Sequence, residues 1–306
     1  MHYAGTFSHW PGPKIVSALT PPIKDANKLS IDDYRGDDYR GSAIDGVAFY
    51  CYWRYAQAKS SQMTVAIVTG AGQGIGRAIA LGFSMRNTCV VAADVRGSNA
   101  SKVQDEIKNA GKKALALEVD VSSEPSVTWM IERTLEEFGA IDVLVNDAGI
   151  YPSNSVEDLT QELWDQVIGT NLTGTFLCSR AAVPVMLEKK KGRIINISSS
   201  TAFRGAKNGA HYAASKAGII GFTKALALEL APSGVTVNAV CPGLTDTAQP
   251  RGHMTDKELY SKKERIPLQR IAQPEDIVGP VLFLANDKAS HITGQTVFVN
   301  GGDLMW

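Results

Sequence analysis

The stretch Thr64-Val65-Ala66-Ile67-Val68-Thr69-Gly70-Ala71-Gly72-Gln73-Gly74-Ile75-Gly76 decides how the rest of this chain is read. Its first six residues, mostly apolar and β-branched, read as a short strand buried on both faces. A run of glycines then turns the chain, and Arg77 to Met85 takes up helical spacing. Glycine admits positive φ and close backbone approach, while a helix N-terminus presents free N–H groups and a positive dipole end. Together these suit a pyrophosphate. A lone glycine cluster could equally be a tight turn; its place between a strand and a helix strengthens the nucleotide reading. The spacing is Gly-x-x-x-Gly-x-Gly, at Gly70, Gly74 and Gly76, and not the shorter Gly-x-Gly-x-x-Gly.

Outward from this unit the alternation repeats. Strand-like runs occur at Cys89–Ala93, Ala114–Val119, Ile141–Val145, Arg193–Ile197, Val235–Val240 and Thr296–Val299. Helical patterns lie near 98–110, 123–138, 160–188, 210–231 and 274–285. Ser122 and Ser123 before Pro125 make a helix entry, since Ser caps and Pro fits the first turn. Seven strands with intervening helices predict an α/β fold: a doubly wound parallel sheet with helices on both faces. Such sheets bind ligands at the carboxyl ends of their strands, so the chemistry is expected there.

Asp94 ends the second strand, 24 residues after Gly70. A carboxylate there can accept from both ribose hydroxyls of NAD and would repel the 2′-phosphate of NADP. The expected cofactor is therefore NAD in preference to NADP, although Arg96, two residues on, could meet a 2′-phosphate. The alternative is a strand-end Asp turned to solvent.

Tyr212-Ala213-Ala214-Ser215-Lys216 opens a predicted helix, and the i,i+4 separation puts Tyr212 and Lys216 on one face. A free Tyr has a pKa near 10, too high for a base at neutral pH; a neighbouring ammonium favours the phenolate and makes Tyr a usable general acid/base. Tyr-x-x-x-Lys alone is common on surface helices. Here Ser199, in Ser198-Ser199-Ser200 after a predicted strand, precedes Tyr212 by 13 residues, where a hydroxyl could orient a carbonyl or alkoxide toward it.

Composition bounds the remainder. The 306 residues carry 31 Lys+Arg and 31 Asp+Glu, so no positive excess exists to neutralise phosphates and nucleic-acid binding is not expected. Four widely spaced cysteines (Cys51, Cys89, Cys178, Cys241) form no CxxC pair, which suits a reducing, cytoplasmic setting and predicts no zinc site. No run of 18 apolar residues predicts a membrane span. Residues 1–62 read differently. They hold 10 of the 23 aromatic residues, a tandem Asp-Asp-Tyr-Arg-Gly repeat at 32–41, and an aromatic patch at 47–55 that lacks the features of a secretory signal. Their readings are an upstream extension from a misassigned start, which Met63 before the first strand favours, a targeting segment, or an interaction arm. The division expected is 1–62 and a single catalytic domain at 63–306.

Residues 63–306 resemble the short-chain dehydrogenase/reductase family over their whole length. The resemblance rests on the ordered series Thr69–Gly76, Asp120-Val121, Asn146-Asp147-Ala148-Gly149, Asn171, Ser199, Tyr212/Lys216, Pro242-Gly243 and Ile292-Thr293-Gly294-Gln295. It implies a Rossmann-like sheet and an NAD(H)-dependent exchange between a secondary alcohol and a ketone. Tyr212 would exchange the proton, Lys216 would lower its pKa and hold the nicotinamide ribose, and Ser199 would hold the substrate oxygen. Asn171 would support a water linking Lys216 to solvent. Gly70, Gln73, Gly74, Ile75 and Gly76 would receive the pyrophosphate, Asp120 and Val121 the adenine, and Asn146, Ala148 and Gly149 would line the cleft. Pro242, Gly243, Thr245 and Thr247 would meet the carboxamide. The family's common form is a homotetramer built partly on the helices near 160–188 and 210–231.

On the substrate side the resemblance points to Ile150, Tyr151, Phe203 and His211, with a solvated His211 as the plainer reading. A basic stretch at 244–266, with Gln249, Arg251, His253, Lys257, Lys262, Lys263 and Arg265, could form a lid. No metal is expected. Two positions depart from the family pattern. Asp147 replaces the second Asn of Asn-Asn-Ala-Gly, adding a charge that must be solvated or paired, so a stability or cofactor-loop effect is expected. Asn300-Gly301-Gly302 replaces Asp-Gly-Gly, with only a turn at stake. The alternatives are a 3-oxoacyl-thioester reductase, whose usual NADPH use Asp94 opposes, and a non-catalytic nucleotide-sensing scaffold, which would have no need of the tyrosine set.

Overall fold

The structure, a computed structural model, describes residues 63–252 and 254–306. The readings made for residues 1–62, and the one for His253, lie outside the described residues.

The opening stretch folds as its residue types require. Strand β1 (Thr64–Thr69) leads through the glycine turn into helix α1 (Gly74–Ser84). There follow β2 (Thr88–Asp94), α2 (Gly97–Asn109), β3 (Ala114–Glu118), α3 (Glu124–Phe138) and β4 (Val143–Asn146). The second half runs α4 (Gln161–Ile168), α5 (Gly174–Lys189), β5 (Gly192–Ile197), α6 (Thr201–Arg204), α7 (Ala210–Leu230) and β6 (Val235–Pro242). Then come α8 (Ala248–Arg251), α9 (Asp256–Arg265), α10 (Pro274–Leu284) and β7 (Thr296–Val299). The seven strands form one sheet in the order β3-β2-β1-β4-β5-β6-β7, all pairs parallel. This is the doubly wound, Rossmann-like fold.

Strand alternation distributes the core between the two faces. Ile67, Val91, Leu144 and Ile194 pack with α3, α5 and α7 through Met130, Ile131, Cys178, Met186 and Leu230. Their neighbours Ala66, Val68, Val90, Val145 and Ile195 point the other way, onto Ile79, Phe83, Val103, Ile107, Ile277 and Val281 of α1, α2 and α10. Both faces are covered, which is why the strands read as unbroken apolar runs.

The strand order reverses between β1 and β4, whose last residues Thr69 and Asn146 lie opposite one another. At such a switch point the loops diverge and leave a crevice. Thr69 holds its rim: its Oγ1 accepts from the N–H groups of Asp147 (3.2 Å) and Ala148 (3.3 Å).

One expected element divides. The single helix read near 160–188 is α4 and α5 joined by a π turn, Gly169–Thr173. A π turn inserts a residue into the i→i−4 ladder and is frequent at functional sites. Asn171 sits in it.

Candidate active site

The crevice is a cleft of about 1490 Å³ over the carboxyl ends of the strands. Its floor is the glycine turn. Gly70 has φ +67° and Gly74 φ +53°, and a Cβ on Gly70 would lie 2.9 Å from the Ala148 backbone. The turn is thus closed to side chains on its inner side and bare toward the cleft, beneath the N-terminus of α1. Asp94 flanks it, with one carboxylate oxygen accepting from Gly72 N–H and the other from Arg96 N–H, both at 2.9 Å. These two bonds fix its orientation and leave lone pairs for further donors. Asp120, Val121, Ala148, Gly149, Pro242, Gly243, Thr245 and Thr247 line the same cleft with Gly70, Gln73, Gly74 and Ile75. A bare turn at a helix N-terminus with a fixed carboxylate at its side fits a dinucleotide.

Beyond the turn, Ser199, Tyr212 and Lys216 enter the same cleft. Ser199 leaves the end of β5, and Tyr212 and Lys216 stand one turn apart on α7. Lys216 is 4% exposed. Its Nζ donates to Ile197 O at 2.8 Å and lies 5.7 Å from the centroid of the Tyr212 ring. Ser198 secures the lysine's backbone by donating to Lys216 O at 2.8 Å. The Ser199 hydroxyl, which accepts from Thr201 Oγ1 at 2.9 Å, favours the ionised form of the Tyr212 phenol, and Tyr151 stacks on the Tyr212 ring, 4.3 Å between centroids and 18° between planes.

Asn171 acts from behind. It is fully buried; its Oδ1 accepts from Ile150 N–H at 2.8 Å, and its Nδ2 donates to Ile150 O at 3.0 Å and Ser215 Oγ at 3.1 Å. The π turn therefore clamps the loop that carries Tyr151.

Burial dominates the electrostatics. It raises Tyr212 far above the usual phenol range, opposed by the Ser199 hydroxyl and reinforced by Asp147, Tyr151 and Cys241. It pulls Lys216 down to about 8, against Asp147 and Cys241, and pushes Asp147 up to about 7, against Lys216 and the Gly76 N–H. Loss of solvent is the largest influence on Tyr212. In this state Tyr212 is a neutral phenol.

Besides Asn171, four expected residues stand away from the cleft lining. Asn146 is buried behind it, where its Nδ2 donates to Ser179 Oγ (3.1 Å) and Asn196 Oδ1 (2.9 Å), tying β4 to β5 and α5. Gly76 faces Asp147 inside the first turn of α1. Phe203 packs on Phe298 and Trp306, with centroids 4.9 and 5.3 Å away, so its apolar surface is used by the C-terminal strand and tail. His211 is fully buried and not solvated; burial lowers its pKa, offset in part by the Pro152 carbonyl. Ile150 and Tyr151 do line the cleft. The basic stretch forms α8 and α9 along its mouth, where Lys262 and Arg265 are exposed. Arg251 is engaged by Asp246 through two bonds of 2.5 and 2.8 Å. Asn300 makes its turn with Oδ1 accepting from Gly302 N–H (3.0 Å) and Nδ2 donating to Leu304 O (2.7 Å).

The family model described as Enoyl-(Acyl carrier protein) reductase matches residues 70–303. The chain belongs to the short-chain dehydrogenase/reductase family. It is an oxidoreductase of that family, whose members use a nicotinamide cofactor. The chain is 45% identical over 246 residues to a 3-oxoacyl-(acyl-carrier-protein) reductase of Staphylococcus aureus (strain N315), covering 78% of this chain and 98% of the relative. The corresponding reductase of Synechocystis is 44% identical over 244 residues, covering 79% and 97%. The (2S)-((R)-hydroxy(phenyl)methyl)succinyl-CoA dehydrogenase subunit of Thauera aromatica is 37% identical over 241 residues, covering 79% and 96%.

Several contributors within this family framework escaped sequence reading. Ile197 supplies a carbonyl to Lys216, and Ser198 and Ser215 brace the tyrosine helix. No side-chain type marks a carbonyl acceptor, and three consecutive serines carry no signal of which one faces the cleft. Among the described residues no group of three or more His, Cys, Asp or Glu could hold a metal, and no helix is long and apolar enough to cross a membrane.

Proposed function

We propose that this protein is an NAD(H)-dependent 3-oxoacyl-thioester reductase, interconverting a 3-oxoacyl and a 3-hydroxyacyl thioester. The observation that carries the reading is the half-buried Tyr212, whose phenol is held above its ordinary pKa beside Ser199 in the cleft floored by the glycine turn. A neutral phenol is a proton donor, suited to a carbonyl oxygen that gains negative charge. The names of the reductase relatives support the same substrate class. The product is a secondary alcohol, so this reading narrows the alcohol–ketone chemistry expected from the sequence.

The residues would act as follows. Gly70, Gln73, Gly74 and Ile75 would hold the pyrophosphate, and Asp94 the adenosine ribose, which favours NAD. The reduced nicotinamide supplies a hydride. Ser199 Oγ would donate a hydrogen bond to the 3-oxo oxygen while Tyr212 Oη gives it a proton. Lys216 would stabilise the phenolate left behind, and Asn171 would keep Ile150 and Tyr151 in place. Exposed Lys207, Lys262 and Arg265 at the mouth suit the phosphates of a thioester carrier. The exposed Phe176 on α5 and Leu228 on α7, 39% and 81% accessible, support a homo-oligomer on these helices.

The test follows oxidation of NADH and NADPH with a 3-oxoacyl-CoA and with simple and cyclic ketones. The thioester should give the higher kcat/KM, and Tyr212→Phe should lower it by about 10²–10⁴-fold. Faster turnover of a simple ketone would return the reading to a general alcohol dehydrogenase. Cofactor binding without turnover on any carbonyl would favour the sensing scaffold.

A further inference from the structure

Asp147 has no part in the chemistry above, yet it lines the cleft beneath the cofactor seat. Its backbone N–H is pinned to Thr69 Oγ1, which aims the side chain at the first turn of α1. There the carboxylate lies against Gly76, where a Cβ would stand 2.7 Å from its Oδ2, and the Gly76 N–H favours its charged form. The charged and titratable groups facing it are Lys216 and Tyr212 from α7 and Asp94 from the end of β2. Asp94 is an acid as well. The glycine turn that would receive a pyrophosphate is therefore set between two carboxylates.

We propose that Asp147 is a proton-binding site linked to cofactor binding: the dinucleotide binds together with a proton taken up by this carboxyl group. The inference rests on the dinucleotide reading of the cleft. An anion placed at the N-terminus of α1 competes with the Asp147 charge for the same helix dipole and repels it across the half-buried floor of the cleft. Protonation removes the repulsion. The free carboxyl group stands at about 7, raised by burial and by Asp94 and held down by Lys216 and the Gly76 N–H, so a pyrophosphate drives it to the neutral form near neutral pH. Linkage fixes the sign: a state that binds more protons is favoured by low pH, so cofactor affinity falls as pH rises. With one proton per site the fall approaches about tenfold per pH unit above the pKa of the free protein.

The experiment is calorimetric titration of the full chain with NADH and with NADPH near pH 8, in phosphate and in Tris. The difference in heat between these buffers counts protons. Uptake of roughly half to one proton per site is expected, with dissociation constants that rise with pH as the linkage relation requires. Asp147→Asn keeps an acceptor for the Gly76 N–H and cannot titrate. It should take up clearly fewer protons than the wild type, only those Lys216 binds, and its affinity should depend less on pH between about 6.5 and 8.5. Should the variant not fold, infrared difference spectra of the wild type decide, since a protonated carboxyl band must appear when NADH is added. Cofactor binding without proton uptake overturns the inference and leaves the dinucleotide reading standing. Equal uptake in Asp147→Asn also overturns it, assigning the proton to Lys216. If neither cofactor binds, the dinucleotide reading fails and this inference with it.

Discussion

Replacing Asn171 by alanine removes a side chain that closes three hydrogen bonds from a fully buried position. Ile150 loses partners for both its N–H and its C=O. Ser215 keeps its bond to Tyr212 O at 2.8 Å, so the α7 side of the clamp is less affected. An unsatisfied buried backbone group costs about 1–3 kcal/mol. Ile150 is half-buried and water can reach part of it, which places the two losses together at about 2–4 kcal/mol. For a domain of this size each kcal/mol lowers Tm by roughly 2–4 °C, so the expected fall is about 5–15 °C. The damage should be local first. Amide exchange at Ile150 should accelerate well before that at Ile194 in the central sheet, because only the loop of β4 has lost its anchor. Thermal unfolding and hydrogen exchange of Asn171→Ala against wild type measure both effects. A Tm within about 1 °C of wild type, with Ile150 exchange unchanged, would refute the clamp.

Two further outcomes follow from the charged groups of the cleft. Lys216 has a folded pKa near 8 against 10.5 in its ordinary state, so between these values the unfolded chain binds more protons and stability rises with pH. Lys216→Met should abolish that rise, which is at most about 3 kcal/mol; urea unfolding of both proteins near pH 7.5 and 10.5 checks it, and parallel curves would refute it. Asp94→Ser removes the carboxylate that would repel a 2′-phosphate, so the ratio of kcat/KM for NADH to that for NADPH should fall by roughly tenfold or more, and an unchanged ratio would mean Asp94 does not choose the cofactor.

The sheet was legible because its strands are buried on both faces. Val65 to Val68 and Val90 to Ala93 need no alternation to mark them, and glycines or polar turns bound each run. The cleft was legible for a related reason: strand ends, a helix start and a helix face are local features, and Gly70, Asp94, Ser199 and Tyr212 each sit on one. What escaped was set by contacts distant in sequence. Phe203 looks like a pocket residue until Phe298 and Trp306 are folded against it. The π turn around Asn171 has no residue signature, because its apolar pattern is that of one continuous helix.

Asp147, Lys216 and Tyr212 have been displaced in the same way, and the common cause bears on how the site works. Burial moves each toward its neutral form: the acid upward, the ammonium downward, the phenol upward. They also oppose one another, since Asp147 raises Lys216 and Tyr212 while Lys216 lowers Asp147. A charge brought into the cleft therefore changes all three at once. A pyrophosphate favours the neutral carboxyl group and the charged lysine, and a neutral Asp147 withdraws one of the influences that raise Tyr212. Lys216, once charged, favours the phenolate over the phenol. Both changes favour the phenolate while the pyrophosphate's own charge disfavours it, so the Tyr212 proton eases only as far as Lys216, 5.7 Å from the ring centroid, outweighs an anion at the glycine turn.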